Sequence, residues 1–320
     1  MFHRLNKNLN LQLVFLIPLL GWATWTLFTR MSIGPSEGSM FLFQYIAKVW
    51  ALNDIPVRVF ALLMVLTMTF GVIQYFHKRH FSESMSYMPG VFLLLLFNCG
   101  KFLYTFTPAL LTVFVITLIM MMYSPNEQAG KMKDRLFAFG MLIAIATFLD
   151  ISAFGIFLFL VVMIAINNVT SFKDILILFF GLLFPYIWAF AIAFIANSLP
   201  AFLQYWHNPA LFVPVKTFTS LRITDYIAAA WFVVVTIILM IRSKRLLDNK
   251  LIVIRQAFNN VNLLLFSMVL FLWLGMVPLN AALLYLLPPV SLYMSMAVVR
   301  KRPWLFVDLV IVSMCVLLWL

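Results

Sequence analysis

Long apolar runs separated by short polar segments dominate this chain. Seven runs are clear, and each is almost free of charge: 13–28, 57–76, 175–196, 227–241, 263–277, 281–299 and 304–320. An α-helix rises about 1.5 Å per residue, so about 20 apolar residues cross the hydrocarbon core of a bilayer. The runs therefore predict transmembrane helices, since the strands of outer-membrane barrels alternate polar and apolar residues instead.

Two further apolar stretches need interpretation before the crossings can be counted. Stretch 88–123 would form a helix of about 54 Å, and Lys101 and Pro108 interrupt it, so we divide it into two short spans. Stretch 136–166 has Asp150 and Ser152 at its centre. It is either one long helix with a buried carboxylate or a hairpin that turns at residues 149–152.

The placement of basic residues decides between these alternatives, because cytoplasmic loops are enriched in Lys and Arg. Dividing both stretches gives eleven spans, a cytoplasmic N-terminus, and 16 of the 22 basic residues inside against six outside. Leaving both undivided gives nine spans and a weaker split of 13 to 9, and dividing only the first places 9 inside and 13 outside. The sequence predicts an all-α, polytopic transmembrane helix bundle of about eleven spans, with nine as the alternative.

This topology leaves two longer segments on the external face. External loop 30–56 contains the turn-forming segment GPSEG at 34–38, and the apolar spacing of residues 40–52 predicts a helix lying in the membrane interface. The second external loop is 197–225. On the cytoplasmic side, segment 242–255 is a basic linker suited to anionic headgroups. We find no fixed-period repeat, so residues 1–320 are interpreted as a single transmembrane domain.

Composition agrees with a membrane protein. The 320 residues are 65% hydrophobic and only 10% charged, whereas soluble chains average roughly 45–50% apolar and about 25% charged residues. These values exclude cytosolic enzymes, disulfide-framed secreted domains and disordered proteins. The net charge of +12 would suggest nucleic acid for a soluble protein. Here the cytoplasmic basic residues account for it, so no nucleic-acid partner is predicted.

Candidate chemistry is confined to a small external polar set, because no metal, phosphate-loop, dinucleotide or serine-hydrolase motif is present. We therefore predict no metal and no cofactor. Glu37 lies in a sharply turned glycine-flanked loop, where it approaches a ligand or is simply an exposed acid. Asp54 precedes an Ile-Pro pair and fits a helix N-cap. Asp150 lies at a turn at membrane depth, where it caps the next helix or faces a cavity.

The remaining members of the external set are one acid and several bases: Asp225, Arg30, Lys48, Arg58, Lys101, His207, Lys216 and Arg222. Lys216 and Arg222 end an aromatic-rich loop, where they bind lipid phosphates or anchor the next span at the headgroups. His207 follows Trp206 and is typical of the interfacial aromatic belt.

The order of these features resembles the GT-C class of multi-pass glycosyltransferases. The likeness rests on an acid-bearing loop after the first span and on hydropathy with proline placement in four segments: TFTPALL at 105–111, the hairpin that includes FGM at 139–141, FGLLFPYIW at 180–188 and YLLPPV at 285–290. The chain is also similar to uncharacterised multi-pass proteins of bacterial inner membranes. The resemblance extends over most of the chain. Active members of the class usually carry an acid pair or an Asp in the first external loop, whereas this loop carries Glu37. The chain therefore also resembles reduced or non-catalytic relatives of the class.

The resemblance implies a reaction and roles for particular residues. A sugar moves from a polyprenyl-phosphate donor to an external hydroxyl acceptor, at the outer face of the bacterial cytoplasmic membrane. Glu37 is the expected general base, with Asp150 as a further catalytic candidate. Lys216 or Arg222 is expected to hold the departing phosphate.

A second hypothesis comes from a different class of function. The chain would be a non-enzymatic subunit, or a lipid- or solute-handling protein, of a larger envelope complex, with a membrane protein as partner. Its basis is the scarcity of acids, ten in all, and the abundance of Phe and Met, 34 and 19 residues, which form adaptable apolar surfaces. A secondary transporter is a third option, weakened because no internal repeat is detectable.

Overall fold

The computed structural model describes residues 9–33, 54–82, 86–99, 103–122, 129–150, 153–166, 172–206, 223–247, 252–273, 279–299, 312–313 and 316. Nearly all of them are helical, which confirms the predicted all-α fold. Three of the described helices are long and apolar enough to cross a membrane: Gln12–Thr29, Ile55–Lys78 and Phe172–Ile195. The number of crossings stays a prediction, as does the interfacial helix at 40–52, which lies outside the described residues.

The described residues form eleven helices and two short strands. In chain order they are α1 (Leu9–Thr29), β1 (Ser32–Ile33), α2 (Asp54–Lys78), α3 (Met88–Cys99), β2 (Thr105–Phe106), α4 (Pro108–Met122), α5 (Ala129–Leu149), α6 (Phe154–Ile166), α7 (Phe172–Ile195), α8 (Leu199–Trp206), α9 (Ile223–Leu247), α10 (Ile252–Trp273) and α11 (Leu279–Val299).

Both stretches of uncertain span number are interrupted. Helix α3 ends at Cys99 and α4 begins at Pro108; proline fits the first helical position because its missing N–H would have no partner there. Helix α5 ends at Leu149, and the Asp150 carbonyl accepts a hydrogen bond from the Ala153 N–H at 3.0 Å in the turn before α6. The two divisions assumed for eleven spans are therefore present as helix boundaries.

Helix α11 lies at the centre of the bundle. Every side chain from residue 284 to residue 298 is buried, and α11 packs against α3, α4, α9 and α10. A helix buried on all sides has no polar face to turn toward solvent. Its polar groups must therefore find partners inside the protein.

Contacts near the start of α2 show which helix ends lie together. A guanidinium nitrogen of Arg58, one turn into α2, donates to the carbonyl of Phe28 at the end of α1. The ring of Phe60 lies edge-on to Phe106 of β2, with ring centres 6.4 Å apart. The end of α1, the start of α2 and the α3–α4 connection therefore lie at one end of the bundle, which we call the α1-exit end.

The opposite end is fixed by the last turns of α2 and α4. Gly71 of α2 faces the side chain of Met121 in α4. The Arg135 guanidinium of α5 donates to the Met122 carbonyl at 2.6 Å, where a cation also favours the negative end of the α4 dipole. Helix α5 therefore begins beside the end of α4, and because the two helices pack against each other, α5 runs back toward the α1-exit end.

Helices α5 and α7 cross with their backbones in contact. A Cβ atom added to Gly140 would clash with the Leu178 carbonyl oxygen, and one added to Gly181 would clash with the Phe137 carbonyl oxygen. Glycine allows such an approach because it has no side chain, and small residues are enriched where membrane helices cross. The two glycine-bearing segments that carried the GT-C resemblance thus meet at this crossing.

The end of α7 is sharply defined. Asn197 adopts a left-handed conformation with φ of 51°, and the Ser198 N–H returns to the Ala193 carbonyl at 2.9 Å. This is a Schellman motif, which satisfies carbonyls that a helix end leaves without partners. It redirects the chain into α8, a short helix that the sequence analysis did not predict in loop 197–225.

We expect alanine at Gly140 or Gly181 to destabilise the fold by about 1–3 kcal/mol, because overpacking forces the two backbones apart. Thermal unfolding of the purified protein in detergent measures the effect as a lower Tm. Gly21→Ala is the matched control, since no atom lies within 4 Å of its added Cβ. A Gly140→Ala protein as stable as Gly21→Ala would contradict the close crossing.

Candidate functional site

The structure brings one predicted site residue, Asp150, against a buried polar partner. The Tyr285 hydroxyl of α11 donates to the Asp150 Oδ2 atom at 2.7 Å. Asp150 is 6% exposed and Tyr285 is fully buried. The pair joins the α5–α6 turn to the central helix across 135 positions of sequence.

The local backbone explains why Asp150 has its side chain inside the bundle. Its N–H closes the last turn of α5 on the Ala146 carbonyl at 2.8 Å, and its carbonyl forms the turn with Ala153. A buried carboxylate without hydrogen bonds is costly, and a buried tyrosine hydroxyl also needs a partner. Each group therefore satisfies the other. Asp150 is too buried in this structure to meet an acceptor from the aqueous side.

A second polar contact lies one turn earlier on α5. The Thr147 hydroxyl and the Tyr186 hydroxyl of α7 are 2.5 Å apart, and the Phe148 ring lies 4.6 Å from the Tyr186 ring. Because Gly140 meets Gly181 and Thr147 meets Tyr186, α5 and α7 run in the same direction. The end of α5 is thus held by α7 through Thr147 and by α11 through Asp150.

Helix α11 carries a second buried tyrosine, Tyr293, two turns further on. Its hydroxyl donates to the Asn262 Oδ1 atom of α10 at 2.5 Å. Sequence reasoning missed both tyrosine contacts. The available signal was a pair of tyrosine hydroxyls eight positions apart in an apolar run whose other hydroxyls belong to serines, but the sequence does not identify the partners of the tyrosines.

A small cavity lies near the second tyrosine, between α2, α4, α6 and α10. Its volume is about 20 Å³, and its lining is apolar apart from Tyr75 and Asn260. The Tyr75 hydroxyl donates to the Ala257 carbonyl of α10 at 3.3 Å. Such a space holds about one water molecule, so it is too small for a lipid tail or a sugar.

The α1-exit end carries two described bases, Arg58 and Arg30, that the sequence analysis predicts to be external. Arg58 is half-buried and directed at the Phe28 carbonyl, where it balances the negative end of the α1 dipole. Arg30 follows α1 directly and is exposed, with its guanidinium carbon 5.5 Å from the centre of the Tyr104 ring. An Arg30 nitrogen also donates to the Tyr104 hydroxyl at 3.2 Å.

The other predicted site residues are placed only in part. Asp54 begins α2, in agreement with its predicted position at a helix N-terminus, and Asp225 lies in the first turn of α9. Six candidates lie outside the described residues: Glu37, Lys48, Lys101, His207, Lys216 and Arg222. Their proximity to one another stays a prediction. Within the described ranges, no three His, Cys, Asp or Glu side chains come together to bind a metal.

We expect Tyr285→Phe to lower stability by about 1–3 kcal/mol, because it removes the hydroxyl that satisfies the buried Asp150 carboxylate. Unfolding in mixed micelles of increasing SDS content measures the loss. Tyr87→Phe is the control, since the Tyr87 hydroxyl has no hydrogen bond to another described residue. Combining Tyr285→Phe with Asp150→Asn should give a non-additive loss. Equal stability of Tyr285→Phe and Tyr87→Phe would contradict the pairing.

Comparisons with known proteins assign no family to this geometry. No family model matches the chain, and no curated protein or solved structure shows significant similarity to it. The GT-C resemblance therefore rests on hydropathy, on proline and glycine positions and on helix order. A function has to be argued from the contacts described above.

Proposed function

We propose that this chain is a multi-pass protein of the bacterial cytoplasmic membrane with GT-C-like architecture. In this proposal it transfers a sugar from a polyprenyl-phosphate donor to a hydroxyl acceptor at the external face. The observation that carries the proposal is the β1–β2 pairing at the α1-exit end, which joins the segment after α1 to the connection before α4 at Pro108. Helices α5 and α7 run toward this end, so the α5–α6 turn and the α7–α8 joint are expected there as well.

A bilayer environment is supported by the outward side of α7. Seven of its large apolar side chains are more than half exposed: Phe172, Phe180, Ile187, Trp188, Ile192, Phe194 and Ile195. A contiguous apolar surface of this kind is unfavourable in water and ordinary against lipid tails. Helix α7 is also one of the three helices long enough to cross a membrane.

The proposed roles divide between chemistry and positioning. Glu37 acts as general base on the acceptor hydroxyl, and Lys216 or Arg222 stabilises the charge that grows on the departing phosphate. Asp150 is assigned a positioning role, because its carboxylate is buried and bonded to Tyr285. It fixes the α5–α6 turn, and with it the wall of the bundle nearest the proposed site.

A second function is supported by the same burial of Asp150. Because this carboxylate is engaged inside the bundle, Asp150 is not available as an exposed acid to serve as a base. A non-enzymatic subunit or lipid-handling protein needs no such acid. Its expected signature is a membrane protein that co-purifies in a fixed ratio.

We expect Glu37→Gln to lower sugar transfer by at least about a hundredfold, because the amide cannot accept the acceptor proton. Membranes containing the protein are supplied with a radiolabelled polyprenyl-phosphate sugar, and labelled product is counted. Glu127→Gln is the control, since Glu127 lies in a predicted cytoplasmic loop. Unaltered transfer by Glu37→Gln would remove the assigned base. A wild-type protein that transfers no sugar and retains a stoichiometric partner would favour the second function.

The topology proposal has its own test, because loop 124–135 is cytoplasmic with eleven spans and external with nine. We expect an alkaline phosphatase fused after Asn126 to be inactive and a green fluorescent protein fused there to fluoresce. Fusions after Pro209 and after Asp248 are controls, since they are external and cytoplasmic in both topologies. Phosphatase activity after Asn126 would exclude the eleven-span topology.

A further inference from the structure

Arg30 is an exposed cation held in a fixed position at the α1-exit end. Its guanidinium lies over the Tyr104 ring at 5.5 Å and donates to the Tyr104 hydroxyl at 3.2 Å. A long side chain at a membrane surface is normally free to move, and fixing it costs side-chain entropy. Two contacts from one tyrosine therefore set the direction of the Arg30 charge.

The backbone beneath this contact is also locked. Ser32 pairs with Thr105 and Ile33 with Phe106 in a parallel ladder, and the Ser32 N–H donates to the Tyr104 carbonyl at 2.8 Å. The main chain on both sides of the contact is thus held by hydrogen bonds. Arg30 and Tyr104 are presented together by two connections that are more than 70 positions apart in sequence.

The charge of Arg30 is not used within the described structure. The Phe28 carbonyl at the end of α1 already accepts a hydrogen bond from Arg58. Among the side chains that the structure describes, Arg30 contacts no carboxylate, and its contacts are those with Tyr104. A guanidinium carries five N–H donors in a planar fork, so most of them remain available to an external acceptor.

Aromatic side chains on α1 indicate the depth of Arg30 in the membrane. Trp25 is 65% exposed and Phe28 is also exposed, and both lie within five residues of Arg30. Tryptophan is enriched at the level of the lipid headgroups. Arg30 therefore lies where phosphate groups are concentrated, and its planar fork matches the geometry of a phosphate.

We propose that Arg30, oriented by Tyr104, binds the phosphate of an anionic lipid headgroup at the α1-exit end. This site is independent of glycosyl transfer, since it requires only a phosphate at the membrane surface. The phosphate belongs to a lipid rather than to free phosphate in solution, because the exposed apolar side of α1 is positioned to contact the attached tails. Tyr104 is a positioning residue that sets the guanidinium plane.

The test uses the full-length protein in neutral detergent and a fluorescently labelled short-chain phosphatidylglycerol, followed by fluorescence anisotropy. We expect Arg30→Gln to weaken binding by about tenfold or more, since it removes a charge-assisted bidentate contact. Arg30→Lys keeps the charge and should lose about threefold, because the fork is gone. Tyr104→Phe keeps the ring and removes the hydroxyl, and should lose about twofold to fivefold.

Lys133→Gln is the control. Lys133 is exposed in the second turn of α5, and the contact of Arg135 with Met122 places it beside the end of α4, far from Arg30. We expect its binding to equal that of the wild type, and Tm values equal to the wild type confirm that the variants fold. Unchanged binding by Arg30→Gln, or equal weakening by Lys133→Gln, would overturn the site. Displacement of the lipid by an equal concentration of inorganic phosphate would overturn the lipid assignment.

Discussion

The burial of α11 on every side is the constraint from which the rest of the bundle follows. A hydroxyl on such a helix cannot reach solvent, so each one requires an internal partner. Ser291 and Ser295 bond to carbonyls of their own helix. Tyr285 and Tyr293 reach outward instead, to Asp150 and to Asn262. The central helix therefore sets the position of its neighbours at two levels, once at the α5–α6 turn and once at α10.

The α1-exit end is constructed differently, from backbone contacts and cations. Two strands of two residues each join the segment after α1 to the α3–α4 connection, and Arg58 closes the end of α1. Polar backbone at a membrane surface needs such partners because a helix end leaves carbonyls unsatisfied. Hydrogen bonds therefore hold the backbone at the α1-exit end. The loops that carry the proposed chemistry connect to this part of the bundle.

Local chemistry allowed some of this to be predicted from sequence. Pro108 predicts the start of a helix and Asp150 predicts the interruption of an apolar run, because each residue alone disfavours a continuous apolar helix at its position. The Asp150–Tyr285 bond and the approach of Gly140 to Gly181 could not be predicted, since each depends on which distant helices become neighbours. For the proposed catalytic residues, the sequence predicted only that they lie on the same side of the membrane. Hydropathy indicates the side on which a loop lies, but it does not indicate which side chains are close together.

The parallel direction of α5 and α7 has a consequence for the order of assembly. Helix α6 is the single helix that connects the two parallel helices α5 and α7. It packs against α10 as well as against α5. During synthesis the α5–α7 glycine crossing becomes available once residue 195 has been made. The α10 partner of α6 exists only after residue 252. More than 50 residues are therefore synthesised after the α5–α7 crossing can form and before α6 can pack against α10.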